Sequence, residues 1–151
     1  MTYIEYQKLH EEWKTCDSIK RSAEIESAIF NIAKLLLNKL NKVYAKYGQK
    51  FVDEDDYKET RGHISLSRCY LSDDKVYLNY WDTWRHGGVC DFDIEIPMKY
   101  LDDANVAELE SDLKSKRIAE LERDIQDMEA EIVNISNRKV ELQKELEELK
   151  S

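Results

Sequence analysis

The last third of the chain carries apolar residues at alternating spacings of three and four positions. Ten positions between residues 118 and 149 follow this spacing, and nine of them are apolar. They are Ile118, Leu121, Ile125, Met128, Ile132, Ile135, Lys139, Leu142, Leu146 and Leu149. A helix with this heptad repeat has one continuous apolar stripe, which a lone helix leaves exposed to water. The pattern therefore predicts a coiled coil over residues 118–149, in which a second helix covers the stripe.

A second copy of the chain is the partner that the heptad positions favour. Ile at the first apolar position, with mostly Leu or Met at the second, is typical of parallel dimers. Lys139 disfavours larger assemblies because its ammonium group has to reach water. The flanking charges leave the direction of pairing open, since surface pairs of this kind contribute only ~0.2–0.5 kcal/mol each. The alternative is that this helix folds back on the N-terminal helices of its own chain.

The first 48 residues have the apolar spacing of α-helices. Thr2 and Glu5 form a capping-box pair, which predicts a helix start within the first few residues. Asp17 and Ser18 interrupt the pattern, and a second apolar stripe then runs to Gly48, a residue type that often ends helices. Its members are Ile25, Ile29, Ile32, Leu36, Leu40, Val43 and Tyr47. We expect one helix or a pair of helices over residues 2–48, packed against the sheet described next.

Residues 63–97 alternate between apolar and polar side chains, which is typical of β-strands. The alternation predicts a first strand with Ile64, Leu66, Arg68 and Tyr70 on one face. Further runs at residues 76–82 and 89–96, after turn-forming segments, predict two more strands. In the third strand, one predicted face is apolar and the other acidic: Cys90, Phe92, Ile94 and Ile96 against Asp91, Asp93 and Glu95. This strict alternation is expected of an antiparallel strand with one side in water.

Together these elements predict an α+β fold. An N-terminal helix or helix pair lies on a three-stranded antiparallel meander, and a long C-terminal coiled-coil helix follows. We expect Pro97 to end the third strand and Asp102 or Asp103 to cap the final helix. The predicted domains are a small α+β domain over residues 1–103 and a C-terminal helix over residues 104–151. The first apolar residues of this helix are out of phase with the heptads, so we expect them to pack on the α+β domain.

Composition and charge narrow the classes of function. The formal net charge is −9. Residues 1–50 carry nine Lys and Arg against six Asp and Glu, residues 51–103 six against thirteen, and residues 104–151 eight against thirteen. Most of this surface repels phosphate backbones, so nucleic-acid binding is not expected. No apolar run approaches the ~20 residues of a membrane span, and the N-terminus does not resemble a secretion signal, so we expect a cytoplasmic protein.

The three cysteines Cys16, Cys69 and Cys90 are an odd number at scattered positions. This arrangement fits reduced, buried thiols better than a disulfide framework. We therefore expect no disulfide to staple the fold.

The segment between the second and third strands is the candidate ligand site. It contains Trp81, Trp84, Arg85, His86, Gly87 and Gly88. Indole rings, cationic donors and a flexible glycine pair suit a planar anionic ligand such as a nucleotide. The alternative is structural: one of the two Trp residues fills the core, Asp82-Thr83 forms a turn, and the glycines supply positive φ angles. No phosphate-loop or dinucleotide motif accompanies the segment.

Residues within and after this segment also resemble those of a known group of proteins. Asp82-Thr83-Trp84, Gly87-Gly88, Ile96-Pro97 and Tyr100-Leu101, followed by a charged helix, resemble uncharacterised small proteins of bacteriophages and prophages. The resemblance covers about thirty residues and implies a phage origin. It implies no catalytic residue and no cofactor for this chain. It makes a non-enzymatic inhibitor of host defence plausible, one that binds a host protein or sequesters a nucleotide-like ligand. Arg68 and Arg117 are further candidates for such a ligand.

Enzymatic and metal-binding interpretations rest on fewer residues. Asp91, Asp93 and Glu95 could hold Mg²⁺ for a phosphoesterase, since hard cations prefer oxygen ligands. A zinc site could use His63, Cys69, His86 and Cys90, although their spacing matches no common zinc motif. We therefore expect no catalytic residue, metal or cofactor. An adaptor that acts through its coiled coil is the other alternative to a ligand-binding protein.

Overall fold

The structure is a computed structural model that describes residues 1–58, 63–83 and 88–151. Two helices come first, α1 (Tyr3–Thr15) and α2 (Ile19–Lys46), followed by a short 3-10 helix (Glu54–Asp56). The strands are β1 (Ile64–Leu71), β2 (Lys75–Thr83) and β3 (Val89–Pro97). A second 3-10 helix (Met98–Leu101) then leads into helix α3 (Asp103–Lys150). This is the predicted α+β order, with a pair of helices before the meander.

The N-terminal helices begin and end at the residues that their capping chemistry predicts. The Thr2 hydroxyl accepts a hydrogen bond from the Glu5 amide, and the Glu5 carboxylate accepts one from the Thr2 amide at 2.7 Å. Ser18 caps α2 by accepting from the Arg21 amide. Gly48 follows α2 with a φ of 68°, a left-handed conformation that favours glycine. The capping-box prediction and the interruption near residues 17–18 are therefore confirmed.

The main core lies between the helices and one face of the sheet. Helix α2 contributes Ile25, Ile29, Leu36, Leu37 and Leu40, and α1 contributes Tyr6. The sheet contributes Ile64, Val76, Leu78, Tyr80, Ile94 and Ile96, and Met98 follows from the second 3-10 helix. Burial of these apolar side chains supplies the main driving force for folding, on the order of 1.5–3 kcal/mol each.

The sheet is a simple antiparallel meander in the order β1-β2-β3. Ile94 and Ile96 of β3 are buried, whereas Asp91, Asp93 and Glu95 are exposed, as the alternation predicts. The pairing of β2 with β3 is regular from Lys75 opposite Pro97 to Thr83 opposite Val89. The sheet therefore has an inner face against the helices and an outer face that carries the acidic side chains.

Strand β1 departs from the predicted alternation at its centre. Leu66 pairs with Tyr80 and Arg68 with Asn79, so Ser67 is an extra residue in a β-bulge. After the bulge the side chains change faces: Cys69 packs against the core, whereas Arg68 and Tyr70 are exposed. The prediction that Arg68 and Tyr70 share the face of Ile64 and Leu66 was therefore wrong.

The chain divides into two compact units, Met1–Leu113 and Lys114–Ser151, and α3 contributes to both. Within the first unit, Val106 and Leu113 of α3 are buried with Val43 of α2, and Leu109 packs beside them. This confirms that the start of α3 packs on the α+β domain. The predicted division at residue 103 follows the start of the helix, whereas the first compact unit continues to Leu113.

Asp102 directly precedes α3 and joins two parts of the first unit. Its carboxylate accepts a hydrogen bond from the Tyr3 amide at 3.0 Å. The first amides of a helix lack partners within the helix, and a carboxylate there also complements the helix dipole. Asp102 therefore supports the start of α1.

In the described part of the chain, no helix has an apolar stretch long enough to cross a bilayer.

Candidate functional site

The heptad positions of α3 form a continuous apolar surface in the second compact unit. We call the ten residues from Ile118 to Leu149 named above the seam. Its apolar side chains are between 43% exposed at Leu121 and 79% exposed at Leu149. Because α3 is one uninterrupted helix to Lys150, these side chains lie along a single stripe. The seam is therefore accessible to a second helix along its whole length.

Part of the seam has the shape that a coiled coil uses for packing. Ile135, Arg138, Lys139 and Leu142 line a depression in the helix surface, which continues to Leu146. In a coiled coil, each seam side chain of one helix enters a hole formed by four residues of the facing helix. The four residues at 135, 138, 139 and 142 have the heptad spacing of such a hole.

Two apolar residues outside the heptad prediction also lie exposed on this helix. Val133 and Val140 are seven positions apart, next to the seam residues Ile132 and Lys139. The uncharged side chains of Ser136 and Gln143 fall on the same side of the helix. The heptad argument missed them because it scores only the two seam positions of each repeat.

Only part of the predicted ligand segment falls within the described residues. Trp84, Arg85, His86 and Gly87 lie outside them, whereas Trp81 and Gly88 are described and exposed. Trp81 does not fill the core, since 42% of its surface is exposed. This excludes Trp81 as the core residue of the structural alternative.

Asp82 and Thr83 are strand residues and do not form the predicted side-chain turn. The Thr83 amide donates to the carbonyl of His63 at 2.9 Å, and its hydroxyl donates to the same oxygen at 3.1 Å. The Asp82 carboxylate lies 2.8 Å from Nδ1 of His63. These contacts hold the end of β2 against the residue that precedes β1. The turn interpretation of Asp82-Thr83 is therefore wrong.

Trp81 lies on the outer face of the sheet in the central strand. The pairing places it between Ser65 and Asp91, and the next rows are Arg68-Asn79-Asp93 and Tyr70-Tyr77-Glu95. We define the outer face by these nine residues. Trp81 and Tyr70 are 42% and 41% exposed, which is unusual for aromatic side chains on a sheet. The outer face therefore combines accessible rings with charged side chains at fixed positions.

Asn79 is the centre of the outer face and is only 3% exposed. Its side-chain amide donates to the carboxylates of both Asp91 and Asp93, the latter at 2.8 Å. Its side-chain oxygen accepts from the indole N–H of Trp81 at 3.2 Å. One buried amide thus orients two carboxylates and one aromatic ring. Buried polar groups that are fully hydrogen-bonded in this way hold their neighbours in one arrangement.

The charge of the outer face is negative next to Trp81. It carries three carboxylates, Asp91, Asp93 and Glu95, against the single guanidinium of Arg68. The Arg68 guanidinium lies over the Tyr70 ring at 4.9 Å, in the adjacent row, and Lys75 is 3.7 Å from Glu95. An anionic ligand at Trp81 would meet repulsion from Asp91 in the same row and from Asp93 in the next row. The described residues therefore do not gather positive charge around this indole.

Among the described residues, Asp91, Asp93 and Glu95 do not form a three-ligand cluster. Alternate residues of a strand are separated by about 6.6 Å along the backbone, and only the carboxylates of Asp91 and Asp93 approach each other, through their shared donor Asn79. Asn79 already donates to two of them. The predicted zinc set is also spread, because His63 and Cys69 are six residues apart along an extended chain, or about 20 Å. His86, the remaining histidine of that set, lies outside the described residues.

One cluster of potential metal ligands was not predicted from the sequence. His10, Glu11 and Asp73 have ligand atoms within 4.8 Å of one another, because the β1–β2 turn packs against α1. Lys14 already supplies a cation to this cluster, with its ammonium 2.8 Å from Glu11 and 3.5 Å from Asp73. The cluster is therefore an ionic connection between α1 and the turn.

The three cysteines differ in exposure, and Cys69 lies against the core. Cys16, Cys69 and Cys90 are free thiols, as predicted, but the prediction that they are buried was wrong, because Cys16 and Cys69 are only partly buried and Cys90 is exposed. Burial raises the pKa of Cys69, and the nearby carboxylate of Glu26 raises it further. A raised pKa keeps the thiol protonated at neutral pH, which is the opposite of what a nucleophile requires.

Comparison with known proteins gives no relative from which a function could be transferred. No family model, curated protein or solved structure matches the chain. The chemistry of the seam and the outer face is therefore the basis on which a function can be argued.

Proposed function

We propose that the chain is a non-enzymatic, cytoplasmic binding protein that acts as a homodimer. Two copies of α3 pair along the seam, and each compact unit offers its outer face to a partner molecule. The observation that carries this proposal is the exposure of nine apolar seam side chains, from 43% to 79%, on one uninterrupted helix.

The energetics of the seam favour association over isolation. Covering the exposed part of each apolar seam side chain contributes on the order of 1 kcal/mol. Nine such side chains from each of two chains exceed the ~4–15 kcal/mol that association costs in lost motional freedom. The heptad pattern also supports a parallel dimer over larger assemblies because of Lys139, whose stem reaches water in a two-stranded rod.

A host protein is the class of partner that we propose for the compact units. The resemblance to bacteriophage and prophage proteins favours an inhibitor that binds a component of the host. The negative charge beside Trp81 supports a protein partner over the nucleotide-like ligand expected from the sequence. Two linked copies would also raise the apparent affinity for a partner with more than one site.

An adaptor role is the second candidate, and the exposure of Val133 and Val140 favours it. A partner helix could pack on these residues beside the paired seam, because apolar side chains at heptad spacing suit helix-in-groove contacts. Removing residues 114–151 separates the two roles. Partner binding is lost if the partner contacts the rod, whereas each isolated compact unit still binds if the partner contacts the outer face.

The test of the dimer uses two double variants with equal added charge. Ile125→Asp/Ile132→Asp places carboxylates in the seam, and Ala130→Asp/Asn137→Asp places them on the opposite side of the same helix. We expect the seam variant to sediment as a 17.9 kDa monomer and the control to keep twice that mass. The seam variant should also lose helical circular dichroism, since a helix of this composition is marginal alone. Equal masses for the wild type and both variants would contradict the proposal.

A further inference from the structure

We propose that the outer face of the sheet is the docking surface for a basic segment of the partner protein, with an arginine side chain seated between Asp91 and Asp93 beside Trp81. This inference rests on the binding role proposed above, and it is independent of whether two chains associate through the seam.

The aromatic side chains of the outer face make it a surface for contact. Trp81 and Tyr70 are each more than two-fifths exposed, in the two end rows of the outer face, and Tyr77 in the central strand is half-buried. Aromatic rings that are held by a sheet lose little conformational entropy on binding, and Trp and Tyr are enriched where interfaces contribute most of their energy. The helices pack against the inner face. A partner can therefore reach the rings of the outer face without rearranging the core.

Asn79 fixes the distance and orientation of the groups that would receive the arginine. Its amide nitrogen donates one hydrogen bond to Asp91 and one to Asp93. Each carboxylate uses a single oxygen for this, and among residues 1–58, 63–83 and 88–151 the second oxygen remains for another donor. Because Asn79 is buried and also accepts from the Trp81 indole, the three groups are set before a partner arrives. Preorganisation of this kind lowers the entropy cost of binding.

The chemistry of this arrangement fits a guanidinium better than an ammonium. A guanidinium is planar, presents five N–H donors in a fixed fork and stacks on aromatic faces. Two carboxylates in neighbouring positions can each accept from one edge of the fork, while the indole provides a face for the plane. A lysine ammonium is a point charge that keeps its hydration more strongly and makes fewer directional contacts. The predicted order of preference is therefore arginine before lysine, with acidic segments excluded.

Charge complementarity points to the same partner. In the described part of the chain, neither Asp91 nor Asp93 has a Lys, Arg or His side chain within ion-pair distance. The sheet region, residues 51–103, carries seven more acidic than basic residues. A basic segment would be steered to this face and would form its charged contacts there at partly desolvated positions.

Three short peptides of equal length are the probes: glycine alternating with arginine, with lysine or with glutamate, each dye-labelled. Fluorescence anisotropy with the full-length wild type should give tighter binding for the arginine peptide than for the lysine peptide, and none for the glutamate peptide. The double variant Asp91→Asn/Asp93→Asn keeps acceptor oxygens for Asn79 but loses both charges. We expect it to weaken binding of the arginine peptide by about tenfold.

A matched control separates a specific site from general attraction to an acidic protein. Asp127→Asn/Glu131→Gln removes the same charge from α3 and should leave the dissociation constant within about twofold, since distant exposed charges are screened by salt. Trp81→Leu keeps an apolar side chain but removes the indole face, and it should weaken binding by about fivefold. Melting curves of all variants confirm that each one is folded.

Several outcomes would overturn the inference. Equal weakening by the outer-face and α3 charge variants would show attraction to net charge alone. Equal affinity for the arginine and lysine peptides would show that the site does not prefer a guanidinium. Unchanged affinity of Trp81→Leu for the arginine peptide would show that the indole ring does not contribute to binding. A second copy of this chain is the occupant instead if Asp91→Asn/Asp93→Asn lowers the oligomeric mass. The seam variant Ile125→Asp/Ile132→Asp should bind the arginine peptide unchanged per chain, so failure of the dimer and failure of the docking site are distinguishable.

Discussion

Tyr6 shows how a single buried side chain connects helix α1 to the sheet. It has no exposed surface, and its hydroxyl donates toward the carbonyl oxygens of Ser72 and Lys75, the latter at 3.2 Å. Next to it, Nδ1 of the buried His10 lies 3.1 Å from the Asp73 carboxylate. The β1–β2 turn is therefore held by α1 at both its backbone and its side chains. A turn held in this way keeps the register of the two strands fixed.

Replacing Tyr6 by Phe removes the hydroxyl and leaves the rest of the ring in place. We expect the free energy of unfolding to fall by about 1–2 kcal/mol, because two part-buried carbonyl groups lose a donor. Urea titration monitored by tryptophan fluorescence measures this change. Tyr70→Phe, on the exposed outer face, is the control and should change the free energy by less than about 0.5 kcal/mol. Equal effects of the two variants would mean that the Tyr6 hydroxyl contributes nothing.

The same side chain predicts a dependence of stability on alkaline pH. Burial raises the pKa of Tyr6 well above its usual value of 10.0. Above that value the tyrosine ionises in the unfolded chain while it stays protonated in the folded one, so stability falls as the pH rises. The loss has a limit of about 1.4 kcal/mol per pH unit for one group. The difference in unfolding free energy between the wild type and Tyr6→Phe should therefore narrow between neutral pH and pH ~11. A constant difference would show that Tyr6 does not remain protonated.

At the scale of secondary structure, the bulge at Ser67 decides which residues form the outer face. If Ser67 paired regularly with β2, the alternation that begins at Ile64 would place Arg68 and Tyr70 inside the core. Because Ser67 is bulged out of the pairing, Leu66 and Cys69 both pack inward, and Arg68 lies opposite Asn79. Bulges are common near functional surfaces because they reposition side chains without ending a strand. The composition of the outer face therefore depends on Ser67 lying outside the strand pairing.

Deleting Ser67 tests this account of the strand. The shortened strand keeps the same inward and outward residues, because Leu66 and Arg68 already pair with consecutive residues of β2. We expect cooperative unfolding with a melting temperature within about 8 °C of the wild type. Deleting Cys69 in its place would move Tyr70 inward and Leu71 outward, and cooperative unfolding should be lost. The account fails if both deletions have the same effect.

The elements were predictable from the sequence where the signal is local. The Thr2-Glu5 capping box, the end of α2 just before Gly48 and the alternation of β3 depend on neighbours within a few residues. The bulge at Ser67 was not predictable from the sequence, because it is defined by the pairing of β1 with β2 and produces no recognisable pattern of apolar and polar residues. The role of Asn79 was hidden for the same reason, since its partners Asp91 and Asp93 lie on another strand. The cluster at His10 also requires the packing of α1 on a distant turn.

At the scale of the whole molecule, the chain separates into a unit with a core and a unit without one. Every buried side chain in the described part of the chain lies within Met1–Leu113. The seam of the second unit has only exposed apolar side chains. Helical stability in proteins comes mainly from packing of an apolar face, and the partner that we propose for this face is a second copy of the chain. The pairing of two seams would supply it.

Two truncations measure where the first unit ends. A chain that ends at Leu113 keeps Val106 and Leu113 packed on Val43, and we expect the compact unit to unfold with nearly unchanged free energy. A chain that ends at Asp103 loses these contacts and should be less stable by about 2–5 kcal/mol, the cost of removing large buried apolar side chains. Urea titration of both truncations provides the comparison. Equal stabilities would place the end of the unit at residue 103.

The mass of the full-length protein in solution tests the central claim, that the seam is covered by a second copy of the chain. Sedimentation equilibrium at micromolar concentration should give twice the chain mass of 17.9 kDa, with dissociation only on strong dilution. A species of 17.9 kDa at every concentration would contradict the claim, because the apolar seam would then remain exposed in a stable monomer.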